Sequence, residues 1–264
     1  LFSTPDGRDL AARHRRVDIP DMSHRNDEIG ELSRSFKEMT EALWARMDAI
    51  ERFAADVTHE IKNPLSSIRS AVETVSRISD PTQQAKLLAI IVDDVHRLDR
   101  LISDVSEASR LDSELSRQVM ERVDLRRLLD ALVAIEGASR RGPDAPRLVL
   151  DLPPLEALDV AGSDARLGQV FRNVIQTALS FSPEHGRVLI KARRRDAVVR
   201  VEVEDEGPGI PEAKLDAVFD RFYSDRPHER GSKFGVHSGL GLSISRQIVE
   251  ASGGRVWAEN RRDG

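Results

Sequence analysis

The residues best suited to chemistry lie in one short stretch, positions 53–65. A histidine, His59, is followed by an acid, Glu60, and then by an amide, Asn63, one helical turn further on. Side chains four residues apart share a helix face, so His59 and Asn63 are expected on the same side of a helix. Because a lone histidine on a helix is usually an ordinary surface or core residue, a function for His59 depends on the string around it.

The same stretch excludes one familiar use of histidine. A His-Glu-x-x-His zinc helix needs a second histidine four positions on, and Asn63 occupies that place, so the second ligand is absent. Pro64 follows, and its ring removes one backbone donor and displaces the carbonyl group of Glu60. We therefore expect a bend in the helix beside His59.

Two glycine-rich strings form the second group of residues suited to chemistry. Residues 205–210, Asp-Glu-Gly-Pro-Gly-Ile, follow a predicted strand directly, and residues 239–242, Gly-Leu-Gly-Leu, precede a predicted helix. Glycines let the backbone approach a ligand closely, and a helix N-terminus presents free amide groups to phosphate. A dinucleotide site of the G-x-G-x-x-G type is disfavoured, because no repeated βαβ units surround these glycines.

Long amphipathic helices must position the histidine. Apolar residues recur at spacings of three and four from position 29 to 50, close to a heptad repeat, and the stripe continues to position 75. Breakers at 79–82 end this helix, and a second helix follows. Its predicted seam consists of Leu88, Ile91, Val95, Leu98, Ile102, Val105 and Ser109. A lone antiparallel pair buries two such stripes poorly, whereas two pairs close a four-helix bundle, so we expect a homodimer.

From Val123 onward the pattern is that of an α/β domain. Asp124 is expected to cap a helix that runs to about position 138, and Ser163 to cap a helix over residues 164–181. Further elements are two strands, a strand hairpin, a short helix, a longer helix and a final strand. They are predicted at residues 147–150, 158–160, 187–194, 198–204, 211–219, 241–253 and 255–258. The predicted fold is an antiparallel helical hairpin in a dimeric four-helix bundle, followed by an α/β sandwich.

Composition removes several classes of function. The net charge is −5 over 264 residues with both signs interspersed, so there is no basic pattern for binding nucleic acid. The absence of cysteine excludes a disulfide framework and cysteine-bound zinc. No apolar run approaches the roughly 18 residues of a membrane span. The chain starts without methionine or a signal-peptide pattern, so we expect a fragment.

Residues 59–65, His-Glu-Ile-Lys-Asn-Pro-Leu, resemble the H-box of sensor histidine kinases. This resemblance implies that His59 accepts a phosphoryl group and that Glu60 assists as a base toward the other ring nitrogen. It also implies that Asn63 positions water for dephosphorylation of a partner regulator. Upstream, residues 27–36 resemble the second helix of a HAMP signalling module, and a plain coiled-coil stalk fits the same seam.

The glycine strings, behind a helix that bears Asn173, resemble the Bergerat ATP fold of histidine kinases, gyrase and Hsp90 chaperones. The resemblance implies that Asp205 accepts a hydrogen bond from the adenine amino group, while Gly207 and Gly209 make room for the base. It implies a mobile lid over 223–238. By the same resemblance, the remaining nucleotide-binding residues are Asn173, Phe219, Tyr223, Gly239, Leu240 and Gly241.

One position departs from the family pattern. The family's N-box reads Asn-x-x-x-Asn with the second Asn on Mg²⁺, but Thr177 stands four residues after Asn173. By resemblance these two residues form the metal position. Mg²⁺ demands oxygen ligands in near-ideal octahedral geometry, and threonine is one atom shorter than asparagine. We therefore expect weakened metal-assisted binding of phosphate.

The resemblance covers residues 27–260 and implies a protein-histidine kinase in three parts. These are a partial HAMP or coiled-coil segment at 1–48, a dimerisation and phosphotransfer domain at 49–117, and a catalytic ATP-binding domain at 121–264. The family normally has one more strand, so the C-terminus is expected to be cut or disordered. Short strings at 181–183 and 221–227 resemble ChvG-type envelope sensors.

The implied reaction moves the γ-phosphoryl group of Mg-ATP to His59 and then to an aspartate of a response regulator receiver domain. Members of the family are usually membrane-anchored, so we expect the cytoplasmic portion of an inner-membrane protein. The alternative is an ATP-binding dimeric signalling scaffold with mainly Asn63-dependent phosphatase output. Thr177 is the feature that favours this alternative.

Overall fold

Two compact units, Leu1–Ala55 and Asp56–Gly264, divide the chain in this computed structural model. The structure describes residues 20–115, 119–139, 145–154, 156–223 and 238–261. Most of the expected lid, and residues 1–19 of the expected HAMP or coiled-coil segment, lie outside these residues. Across the part of the chain that is described, no helix combines the length and apolar character that a membrane crossing requires.

The first unit holds the start of helix α1, which spans Glu28–Val75, and a short segment that precedes it. Lys37 Nζ pairs with Asp21 Oδ2 at 2.9 Å, so this segment lies back along the helix. A glycine is required at position 30, because a Cβ atom there would lie 2.0 Å from the carbonyl oxygen of Arg25. The Asp-Glu-Ile-Gly string therefore permits a close chain reversal at the start of α1.

In the second unit, α1 continues through Pro64 and is followed by helix α2, Pro81–Leu115. The predicted pair of long helices with a break near position 80 is confirmed. The bend at Pro64 stays a prediction. From position 56 onward, the described residues of the pair that are fully or nearly buried are Pro64, Ala71, Leu101, Ala108 and Leu111. Three members of the predicted α2 seam, Leu88, Val95 and Ile102, remain 53%, 50% and 56% exposed.

The rest of the second unit is an α/β domain with two sheets. Its elements are β1 Glu121–Asp124, α3 Leu125–Ser139, β2 Arg147–Asp151, β3 Asp159–Gly162, α4 Asp164–Phe181, β4 Arg187–Arg195, β5 Val198–Glu204 and α5 Gly241–Ala251. The larger sheet has the order β2-β4-β5, with β2 and β4 parallel and β4 and β5 antiparallel. Strand β1 pairs antiparallel with β3, a pairing that the sequence did not reveal. The α/β prediction is confirmed.

The core of this domain forms between the helices and the larger sheet. Leu129 of α3, Ile175 of α4, and Val188 and Ile190 of β4 have no solvent exposure. Strand β4 alternates buried and more exposed positions, as expected for a strand with one face against helices. The caps also form as predicted, with Asp124 Oδ1 accepting from Arg126 N at 2.9 Å at the start of α3.

Two predicted elements are wrong. The helix expected at 211–219 consists of two separate 3₁₀ turns, Glu212–Lys214 and Ala217–Phe219. These turns close with i→i+3 bonds, which rarely extend into longer helices. No strand forms at 255–258, where side chains provide the attachment instead, since Arg200 Nη2 of β5 pairs with Glu259 Oε1 at 3.1 Å.

Candidate functional site

The predicted phosphoacceptor lies on the open surface of α1. His59 and Asn63 are exposed one turn apart, while the apolar neighbours Val57 and Ile61 are partly buried. The histidine therefore stands beside the apolar stripe rather than within it, as its spacing predicts. A second domain or another protein has access to the imidazole ring and to the carboxamide of Asn63 from the same side.

Glu60 has different surroundings, although it is the next residue along the chain. Its carboxylate is partly shielded, and Oε2 lies 3.2 Å from Nη2 of Arg97 on α2. Arg97 was missed from the sequence, because its pairing with Glu60 exists only once α2 folds back along α1. A signal was present in hindsight, since Arg97 sits next to Leu98 of the predicted seam.

At the end of β5, the chain folds into the predicted adenine site. Asp205 Oδ1 accepts a hydrogen bond from Gly207 N at 2.8 Å, so a tight turn orients the carboxylate. A Cβ atom at position 207 would lie 2.7 Å from Asp205 Oδ1 and 3.0 Å from the carbonyl oxygen of Phe181. Glycine is therefore the residue that lets this turn close against the end of α4.

The second glycine of the string is held from the far end of the chain. Gly209 has φ +76°, in the left-handed region that favours glycine. Asn260 Oδ1 accepts from Ile210 N at 2.9 Å, and Asn260 Nδ2 donates to Ile210 O at 2.6 Å. Sequence reasoning assigned no role to Asn260. Its side chain fixes the backbone that follows the two glycines.

The predicted phosphate loop and the N-box meet at the start of α5. Asn173 Nδ2 of α4 donates to Gly241 O at 3.0 Å. Gly239 has φ +74°, and its carbonyl oxygen accepts from Phe222 N at 2.9 Å. Helix α5 begins at Gly241 with no side-chain cap from Leu240, whose own side chain is fully buried. Leu240 therefore leaves the first amides of α5 available, and such amides suit phosphate.

The two aromatic residues assigned to the nucleotide site occupy different surroundings. Phe219 is 6% exposed and lies under the guanidinium of Arg246, whose Cζ is 4.3 Å from the ring centroid. Tyr223 is partly buried, and its backbone N–H donates to Asp220 O at 3.3 Å. Phe219 therefore packs against α5, and Tyr223 is the last described residue before position 238.

The residues expected at the metal supply few ligands. The amide nitrogen of Asn173 donates to Gly241 O, so Oδ1 is the atom of this side chain that could bind a metal ion. Thr177 Oγ1 donates to the carbonyl oxygen of Asn173 at 2.7 Å, so its hydroxyl is directed along its own helix. Among the described residues, no three His, Cys, Asp or Glu side chains form a metal cluster. Such a set fits Mg²⁺ held mainly by phosphate oxygens and water, with Asn173 as a protein ligand.

Comparison with known proteins assigns both parts of the chain. Residues 49–114 match the His Kinase A (phospho-acceptor) domain, and residues 162–264 match the histidine kinase-, DNA gyrase B- and HSP90-like ATPase. Sensor protein ChvG of Rhizobium meliloti (strain 1021) is 51% identical over 251 residues, which are 93% of this chain and 43% of that protein. The chain belongs to the ChvG-type sensor histidine kinases. The family prediction is confirmed.

A second ChvG protein and one solved histidine kinase are also similar to this chain. ChvG of Agrobacterium fabrum (strain C58) is 50% identical over 93% of this chain and 42% of its own length. The chain thus spans less than half the length of these curated relatives. Histidine kinase ThkA, solved in complex with response regulator protein TrrA, is 26% identical with a TM-score of 0.67. That match covers 90% of this chain and 65% of the ThkA chain.

In this histidine kinase, helix α2 contacts the residue that precedes the phosphate loop. The hydroxyl of Ser238 donates to Asp104 Oδ2, and Ser238 Oγ accepts from Leu240 N at 3.2 Å. Burial raises the pKa of the Asp104 carboxyl, and the hydrogen bond from Ser238 and the charge of Arg100 partly offset that rise. The helical hairpin and the ATP-binding domain are therefore joined next to the predicted phosphate loop.

Proposed function

We propose that this chain is the kinase portion of a two-component sensor, which transfers the γ-phosphoryl group of ATP to His59. Two observations in one chain support the proposal. His59 is exposed and is followed by an acid. In the ATP-binding domain, Asn173 donates a hydrogen bond to Gly241 O at the start of α5, which has no side-chain cap from Leu240. A helical surface that presents the acceptor and a separate domain that binds the donor are the two parts that such a transfer requires.

In the proposed complex, Asp205 accepts from the adenine amino group through Oδ2, since Oδ1 already accepts from Gly207 N. Gly207 and Gly209 let the base approach the backbone, and the amides around Gly239 and Gly241 bind phosphate. Tyr223 borders this site, while Phe219 and Leu240 support it from the interior. Asn173 would hold Mg²⁺ together with phosphate oxygens and water, and the ion would neutralise phosphate charge.

The transfer itself needs little covalent activation. One ring nitrogen of neutral His59 attacks the γ-phosphorus, the bond to the bridging oxygen breaks, and ADP leaves. Glu60 accepts the proton of the other ring nitrogen, so the imidazole does not accumulate positive charge. Most of the rate enhancement then comes from positioning and from charge neutralisation at the phosphates.

The phosphoryl group then passes to an aspartate of a response regulator receiver domain, and Asn63 orients water when the regulator is dephosphorylated. The complex of ThkA with TrrA supports a regulator as the partner. Two copies of the hairpin, within residues 49–117, form the dimer through exposed apolar positions of α2 such as Val95. The ATP-binding domain takes residues 121–264.

Two wider proposals concern the complete protein. The chain is the cytoplasmic portion of an inner-membrane sensor, which the greater length of the ChvG relatives supports. Residues 1–48 carry the signal inward as part of a HAMP module or coiled coil, and the heptad-like spacing from position 29 supports this role.

Labelling with γ-labelled ATP tests the proposal. His59→Gln should abolish acid-labile label and leave dimerisation and ADP binding intact, because the side chain is exposed. His96→Gln is the matched control, since His96 is an exposed histidine on α2. Normal labelling of His59→Gln, or its dissociation into monomers, would show that the assignment of His59 is wrong.

A further inference from the structure

Near the Glu60–Arg97 pair in the sequence of α2, one buried carboxylate oxygen has no partner among the described residues. Arg97 Nη2 is 3.2 Å from Glu60 Oε2, and the two side chains are only 19% and 26% exposed. One turn earlier on α2, Asp94 Oδ2 is buried and has no hydrogen-bond partner within the described structure. Positions 94 and 97 are three apart, so their side chains are neighbours on one helix face. The guanidinium of Arg97 thus contacts Glu60, and Asp94 is its neighbour three positions earlier on the same helix.

A second arrangement, in which Arg97 pairs with Asp94 instead of Glu60, is available to the same side chain. Leaving the Asp94 oxygen buried and unpaired carries an unfavourable desolvation free energy. Rotation of Arg97 toward Asp94 would remove that penalty and would leave Glu60 without its partner instead. Because each arrangement pairs one carboxylate and leaves the other unpaired, small changes around α2 can shift the population from one to the other.

The orientation of the Glu60 side chain decides whether its carboxylate can act on the imidazole of His59. Adjacent side chains on a helix do not face each other. Glu60 is turned toward α2 by Arg97, while His59 is exposed on the surface. While the pair is formed, the carboxylate is therefore directed away from the imidazole ring.

We propose that Arg97 is a positioning residue that alternates between Glu60 and Asp94, and that its turn to Asp94 releases Glu60 to assist His59. The inference rests on the proposed function, which assigns Glu60 as the base. The exchange is a rotation of one side chain and transfers no proton. Arg97 and Asp94 both lie on α2, and neither is assigned to the nucleotide site or to the phosphoacceptor position.

Asp94→Asn tests the exchange, with Asp93→Asn as the matched control on the exposed face of the same helix. Without the competing carboxylate, Arg97 stays on Glu60. The initial rate of His59 labelling should fall about two- to fivefold, the effect of one partly exposed ion pair. KM for ATP should not change. Tm should not fall, because Asp94→Asn replaces a buried, unpaired carboxylate oxygen with an uncharged amide. A purely structural role would lower Tm and rate together.

The double variant Asp94→Asn/Arg97→Gln provides the decisive comparison. Removing the guanidinium frees Glu60, so the double variant should recover at least the wild-type rate. A double variant slower than Asp94→Asn, or an Asp94→Asn rate equal to that of Asp93→Asn, would overturn the exchange. Circular dichroism checks the fold, and if the double variant does not fold, the comparison of the two aspartate variants decides.

Glu60→Gln separates this inference from the proposed function. A wild-type labelling rate in Glu60→Gln would remove Glu60 as the base, and the exchange would fail with it. A slow Glu60→Gln together with an unaffected Asp94→Asn would overturn the exchange alone and leave the proposed function intact.

Discussion

The helical hairpin and the ATP-binding domain differ in how they bury their apolar side chains. In the ATP-binding domain, Leu129, Ile175 and Ile190 are 0% exposed, so a single chain completes the core. On α2 of the hairpin, Val92 and Ile102 remain 53% and 56% exposed. Each fully buried side chain of this size contributes about 1.5–3 kcal/mol, so the hairpin forgoes much of the stabilisation available to it. The comparison indicates one self-sufficient domain and one that gains from a second copy.

The same difference separates the two chemical roles. The hairpin presents His59 and Asn63 on an open helical surface, where another protein can reach them. The ATP-binding domain instead holds its residues through long-range contacts within a finished core, as Asn173 with Gly241 illustrates. The proposed acceptor, which would meet two partners in turn, benefits from exposure, whereas the proposed nucleotide site benefits from fixed geometry.

The largest expected effect is on the free energy of unfolding, when a buried side chain is removed from the core of the ATP-binding domain. Ile190→Ala removes a fully buried side chain from the central strand of the larger sheet. The free energy of unfolding should fall by about 2–5 kcal/mol, as for other large-to-small core substitutions. Val95→Ala on α2 should change protomer stability by less than about 0.5 kcal/mol, as for exposed sites, and should weaken the dimer instead. Denaturant unfolding and sedimentation measure the two effects, and equal destabilisation would remove the contrast.

A smaller effect is expected at the metal position of the ATP-binding domain. The hydroxyl of Thr177 is directed to Asn173 O, so Thr177→Asn should add a better ligand. A bond to a charged group contributes about 1.5–3 kcal/mol, which corresponds to about a 10- to 100-fold stronger response to Mg-ATP. Autophosphorylation measured over a Mg²⁺ titration checks this, with ADP binding in EDTA as the unchanged control. Superimposable titration curves would place Thr177 away from the metal.

The smallest effect concerns one function of the hairpin alone. Asn63→Ala should slow dephosphorylation of the phospho-regulator by about tenfold, the loss of one neutral hydrogen bond to water. Labelling of His59 should continue at the normal rate, because Asn63 is exposed one turn away from the histidine. Separate kinase and phosphatase assays compare the two rates. Equal loss of both activities would indicate a structural role for Asn63.

Much of the architecture could be predicted because its signals are local. The caps at Asp124 and Ser163 depend on side chains that reach amides two or three residues away. The hairpin of β4 and β5 follows from period-2 alternation on either side of a short turn. The strand expected at 255–258 was wrong, because its attachment uses Arg200 and Asn260 side chains rather than a backbone ladder. The residue periodicity of 255–258 does not show whether the segment is held by a backbone ladder or by side chains.

The sequence by itself determined the family, the helix and strand pattern and the candidate site residues, since motifs such as His59 with its neighbours are contiguous and the helix and strand periods are short. Only the tertiary structure decided how these residues are held. Arg97 reaches Glu60 across 37 positions, Asn260 reaches Ile210 across 50, and Asn173 reaches Gly241 across 68. Spacing along the chain carries no information about such pairs, because the packing of complete helices and sheets sets the distance between their atoms.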